Sequence, residues 1–119
     1  MSVAAKLQIR PTHTVCLLHL PDGVVLDLPE GIATTPDPAA ATAVVLFATD
    51  QRQLRERAGP VVDAARRDAL AWIAYPKARQ LGTDLTRDNL SAALGADDIR
   101  PVRQVAIDDI WSGLRFRPA

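Results

Sequence analysis

Two stretches of this chain, AVVLFAT at 43–49 and LAWIAY at 70–75, are apolar from end to end and only long enough to be strands. A strand with one face in water alternates apolar and polar residues, whereas a strand covered on both faces does not need to. The two runs therefore call for a sheet buried on both sides, and the segments after them read as the helices that bury it. Asp50 is placed as an N-cap, and Leu54, Ala58, Val61, Val62 and Ala65 follow along one stripe of a 3.6-residue repeat. Gly59-Pro60 interrupts that stripe, which predicts a kink or two abutting short helices. A further helix starts at Thr86. Leu85 and Leu90 stand at hydrophobic-staple spacing, Thr86 and Asn89 at capping spacing, and Gly95 marks the end.

The flanking segments complete the sheet. HTVCLLHL, 13–20, reads as a first strand stopped by the turn residues Pro21-Asp22-Gly23. VVLDLP fits one helical turn or an extended piece equally well, and the proline-rich stretch 28–42 holds a weak strand at Ile32 to Thr35. PVRQVAID reads as a strand, and the tail WSGLRFRP alternates Leu114 and Phe116 with Arg115 and Arg117, the period of a half-exposed strand closed by Pro118. Too few residues separate these last two for a crossover, so they pair antiparallel. The expected architecture is a single α/β domain over 1–119: a three-layer sandwich with a mostly parallel sheet of about five or six strands, ending in an antiparallel hairpin. Residues 1–12 form an N-terminal lead, and 28–42 an irregular connection.

At 119 residues the chain can bury roughly two-thirds of its unfolded surface without a disulfide or metal staple. Its fourteen basic and fourteen acidic residues cancel, so no net field draws it to phosphate backbones or anionic lipid, and neither nucleic acid nor membrane is expected as a partner. The start, MSVAAKLQIR, lacks the apolar core of a signal peptide, and no run reaches the ~18 apolar residues of a spanning helix, which makes the cytoplasm the expected location. Cys16, inside Val15-Cys16-Leu17-Leu18, reads as a small buried hydrophobe. His13 and His19 lie roughly 20 Å apart along an extended chain, too far to share a metal, and no metal site is expected.

In an open parallel sheet the strands deliver their C-terminal ends to one edge, where ligands bind. That edge should gather His19, Asp22, Thr49, Asp50, Tyr75, Lys77 and Asp108. Lys77 could bind a phosphate or carboxylate or, if desolvated, serve as a base or Schiff-base amine, although a lysine after a strand ended by Pro76 more often snorkels over the rim. His19 has the pKa for proton transfer, although a lone histidine at a strand end is more often a hydrogen-bonded structural residue. Asp108 and Asp109 could pair with Lys77 or Arg103, or accept backbone N–H groups in the turn. Ser112 lacks both the glycine-flanked elbow and the histidine base of a hydrolase nucleophile. Trp72 and Trp111 read as packing residues. Arg100, Arg103, Arg115 and Arg117 concentrate basic charge on the terminal hairpin, either as a face for an acidic partner or as protection against edge-to-edge aggregation.

Trp72-Ile73-x-x-Pro76-Lys77, a short helix and the closing Trp111-Ser112-Gly113-Leu114-Arg115-Phe116 together resemble a group of small uncharacterised bacterial proteins whose fold looks like a reduced class I methyltransferase or Rossmann-like domain. The resemblance runs from about Ala43 onward. It implies a nucleotide-binding-type fold, including the antiparallel ending of the sheet, but it carries no reaction. Methyltransferases of that fold hold S-adenosylmethionine with a glycine-rich turn after the first strand and an acid after the second. Here the first turn, Leu20-Pro21-Asp22-Gly23-Val24, offers one glycine and loses a donor at Pro21, and the acid would be Asp37, set between two prolines. The expected function is a non-catalytic binding module on a degenerate nucleotide-binding-type fold. It would hold a small anion or a protein partner through His19, Asp22, Asp50, Tyr75, Lys77 and Asp108, with no cofactor. An S-adenosylmethionine-dependent enzyme is the alternative, and nucleic-acid binding through the arginine hairpin ranks third.

Overall fold

The computed structural model describes residues Ser2–Ala119. The two apolar runs become neighbouring strands near the middle of a six-stranded mixed sheet. Strands β1 (Thr14–Leu18), β2 (Ala33–Thr34), β3 (Ala43–Phe47) and β4 (Leu70–Pro76) run parallel. Strands β5 (Ile99–Ala106) and β6 (Trp111–Pro118) form the antiparallel hairpin. The order across the sheet is β2-β1-β3-β4-β6-β5, so β6 lies between β4 and β5 and runs against both.

Alternate side chains of β3 and β4 enter two separate cores, as burial on both faces requires. Val44, Leu46 and Ile73 pack against helices α2 (Gln51–Arg57), α3 (Gly59–Arg66) and α4 (Arg87–Gly95). The helical stripe from Leu54 to Ala65 is buried there, and the chain breaks at Ala58, so that Pro60 falls in the first turn of α3, where its missing N–H costs nothing. Thr86 and Asn89 form the reciprocal capping box of α4, with Leu85 and Leu90 buried beside it.

The opposite face departs from the three-layer expectation. Its cover is a single turn of helix, α1 (Val3–Lys6), together with irregular chain around Leu26. Residues 1–12, read from the sequence as a lead, supply buried Ala4, Leu7 and Ile9. The reason lies on the sheet. Val45, Phe47, Trp72 and Trp111 present a broad apolar surface on that side, and Trp72 Nε1 donates a buried 2.8 Å hydrogen bond to the Leu7 carbonyl, which pins the segment in place. The stretch 28–42 is irregular as expected, apart from two-residue β2 and one 3-10 turn, Pro38–Ala40, capped by the Asp37 carboxylate.

In the tail the half-exposed reading holds for the alternating residues, with Leu114 and Phe116 buried, Arg115 half-buried and Arg117 exposed, while the start of the strand is buried throughout. Because β6 is inserted between two strands, Trp111, Ser112, Gly113, Leu114 and Phe116 are all buried. Gly113 permits this packing: a Cβ there would lie 3.2 Å from Trp72 Cε3. The alternation seen in the sequence separates the buried Leu114 and Phe116 from Arg115 and Arg117 on the other face of the strand. Among the described residues no helix is long and apolar enough to cross a membrane.

Candidate functional site

The parallel strands β1, β3 and β4 bring His19, Asp22, Asp50, Tyr75 and Lys77 to one edge of the sheet, and β5, which runs the same way, adds Asp108. His19 and Lys77 are on that same edge, separated by β3 and hence by about two strand spacings, ~10 Å. The six residues do not converge on one cavity. The Asp50 carboxylate accepts the Gln53 N–H at 2.8 Å as the N-cap of α2, and the Asp84 carboxylate accepts the Gln51 N–H at 2.8 Å. The first amides of α2 are thus answered by the chain's own carboxylates. Asp108 Oδ1 accepts the N–H groups of Ile110 and Trp111 at 2.8 and 2.7 Å, which is the turn role. His19, with φ of 59°, and Asp22 are exposed near the end of β1.

Tyr75 and Lys77 line a hollow of about 310 Å³ with Arg87, Gln104 and Ser112. The Tyr75 hydroxyl accepts the Gln104 amide N–H at 2.9 Å, and burial raises its pKa against a smaller opposing effect of Arg87, so the phenol stays neutral. The Lys77 backbone N–H is held by the Ile110 carbonyl at 2.7 Å.

The larger cavity, about 620 Å³, opens at the other edge, where the parallel strands begin. Its walls come from four places: the segment after α1 (Gln8, Arg10, His13), the entry to β3 (Ala41, Thr42), the turn from α3 to β4 (Arg67, Asp68) and Arg115 on β6. Side-chain hydrogen bonds hold two of the three arginines there. Arg67 Nη2 donates to the carbonyls of Pro38 and Ala41 at 2.9 and 2.8 Å. Arg115 Nη1 donates to Gln8 Oε1 at 2.6 Å, while its Nε is buried with no acceptor. The Arg10 backbone N–H donates to His13 Nδ1 at 2.9 Å, which leaves the imidazole proton on Nε2. Desolvation first, then Arg10 and Arg115, hold the His13 pKa below its ordinary value.

The one acid in the wall, Asp68, is neutralised from outside the cavity, because Arg117 Nε and Nη2 donate to its two oxygens at 3.1 and 3.2 Å. That pair lowers the pKa of the carboxyl, and Arg115 adds to the effect. The cavity is therefore a polar enclosure with an excess of guanidinium charge, and what it can do chemically is hold an anion.

The sequence reading gathered its candidates at the opposite edge, weighed His13 only as a metal ligand, and did not single out Gln8, Arg10 or Arg67, which line this cavity. The signal it did contain was the basic hairpin, since Arg115 is one of the four arginines singled out there. Among the described residues no three His, Cys, Asp or Glu side chains come together where a metal ion could be held. No protein-family model matches this chain, and no curated protein matches it.

Proposed function

We propose that this chain is a non-catalytic binding module for a small anion, built on a degenerate nucleotide-binding-type fold. The observation that carries the reading is the 620 Å³ cavity walled by Arg10, Arg67 and Arg115, whose only acid is already ion-paired. The sheet ending, with antiparallel β6 between β4 and β5, supports the reduced class I methyltransferase-like or Rossmann-like form suggested by the sequence. The turn after β1 supports the loss of that fold's usual ligand, because it offers only Gly23 and lacks an N–H donor at Pro21. Asp37, the acid that could have met a ribose, caps the 3-10 turn instead. The anion site is thus assigned to the edge where the strands begin, with Lys77 and Tyr75 outside it.

The test is thermal unfolding with millimolar inorganic phosphate or succinate, at constant ionic strength. Either anion, if it binds the folded chain alone, raises the melting temperature. Arg10→Ala, an exposed side chain, should weaken binding about tenfold, the loss of one charge-assisted contact. Lys77→Ala should leave binding unchanged. A chain that responds to neither anion, or that loses its response through Lys77→Ala and not Arg10→Ala, would refute this assignment.

A further inference from the structure

Arg115, in the cavity wall, also belongs to a second feature, an arginine ladder on the outer face of the hairpin. In the β5–β6 register Arg103 lies directly opposite Arg115, and Arg100 opposite Arg117. Residues directly opposite in an antiparallel pair share a face, and like charges so placed are destabilising. A β-bulge produces the arrangement. The register shifts between Pro101 and Arg103, which inserts Val102 and carries Arg103 to the position opposite Arg115. Without the shift, Arg103 would face Leu114 and point into the helical core. Asp68, held by Arg117, is the one acid paired with this ladder among the described residues.

The ladder and the cavity share a wall. Arg115 belongs to both, and Arg117 is tied to Asp68, which also lines the cavity. Successive rungs are two residues apart on β6, roughly 7 Å. Asp68 already answers Arg117, and a lone phosphate in the cavity cannot also neutralise Arg100 and Arg103. A chain of linked phosphoryl groups can, because each presents oxygens that match the guanidinium fork. Recognition of bases has no platform here: Phe47, Trp72, Tyr75, Trp111 and Phe116 are all buried.

Resting on the anion-binding reading above, we infer that the ligand is an oligophosphate, with one phosphoryl group in the cavity and the next ones laid along the rungs Arg103–Arg115 and Arg100–Arg117. The experiment is calorimetric titration of the intact chain with orthophosphate, linear tripolyphosphate and a longer linear polyphosphate, at one ionic strength and pH. A single-stranded oligothymidylate is titrated in parallel.

Tripolyphosphate should bind at least tenfold more tightly than orthophosphate. The double variant Arg100→Ala, Arg103→Ala should remove that gain while leaving orthophosphate affinity within about twofold. Both side chains are exposed, and a melting temperature close to wild type checks that the fold survives. Orthophosphate binding with no gain from chain length would overturn the ladder's role and leave the cavity reading standing. Loss of all binding would overturn both. An oligothymidylate that binds as tightly as the longer polyphosphate would replace the oligophosphate with nucleic acid.

Discussion

His13 shows how one side chain can couple the cavity to pH. Its Nδ1 accepts the Arg10 N–H, and desolvation, Arg10 and Arg115 all oppose a positive charge on the ring. The folded-state pKa thus lies below the ordinary 6.5, so between the two values the unfolded chain binds more protons than the folded one. The sign follows directly. Above pH 6.5 the contribution is fully present, and it is lost as pH falls from there through the folded pKa. Asp68, also lowered, acts in a separate and more acidic window, below its ordinary 3.8, where its contribution is lost as pH falls. His13→Asn keeps an acceptor for the Arg10 N–H and removes the titration. Urea unfolding between pH 7.5 and 5 should show a shallower acid-side loss in that variant than in wild type; parallel curves would mean that His13 is not the group responsible.

At the scale of elements, α4 is nine residues long with only Leu90 and Leu94 buried, so it depends on its ends more than α3 does, with four buried residues in eight. The box in which Thr86 Oγ1 accepts the Asn89 N–H at 3.1 Å, while Asn89 Oδ1 accepts the Thr86 N–H at 2.9 Å, answers two amides that would otherwise lack partners. Thr86→Ala should cost about 1 kcal/mol in chemical denaturation, and Thr86→Ser should retain nearly all of it. The box also sets the hollow around Tyr75, since Thr86 and Arg87 line it. The capping signal was legible because it is local, with donor and acceptor three residues apart. The bulge at Val102 was not, because a bulge exists only relative to the strand it pairs with.

At the scale of the molecule, the sheet needs cover on both faces, and the second cover is the least regular part of the chain. Leu7 and Ile9 are almost wholly inaccessible, and burying two such side chains contributes roughly 3–6 kcal/mol. Total stability for a domain of this size is about 5–15 kcal/mol. Deleting residues 2–9 would also orphan the Trp72 indole N–H and expose the face carrying Phe47 and Trp111. Such a chain should lose cooperative unfolding, with tryptophan emission shifted to the red. A cooperative melt within a few degrees of the full chain would show that the first turn of helix is dispensable.

What was readable from residue order was whatever depends on neighbours in the chain: two strands buried on both faces, the broken helix at Gly59-Pro60, the caps at Asp50 and Thr86, the closing hairpin. These follow from periodicity and local hydrogen bonding, which act over a few residues. The arginine-walled cavity was not readable, because its walls lie more than a hundred residues apart in the chain: Gln8 meets Arg115 only after β6 has slipped in beside β4. The order in which strands pair is a property of long-range contact, which no local pattern records.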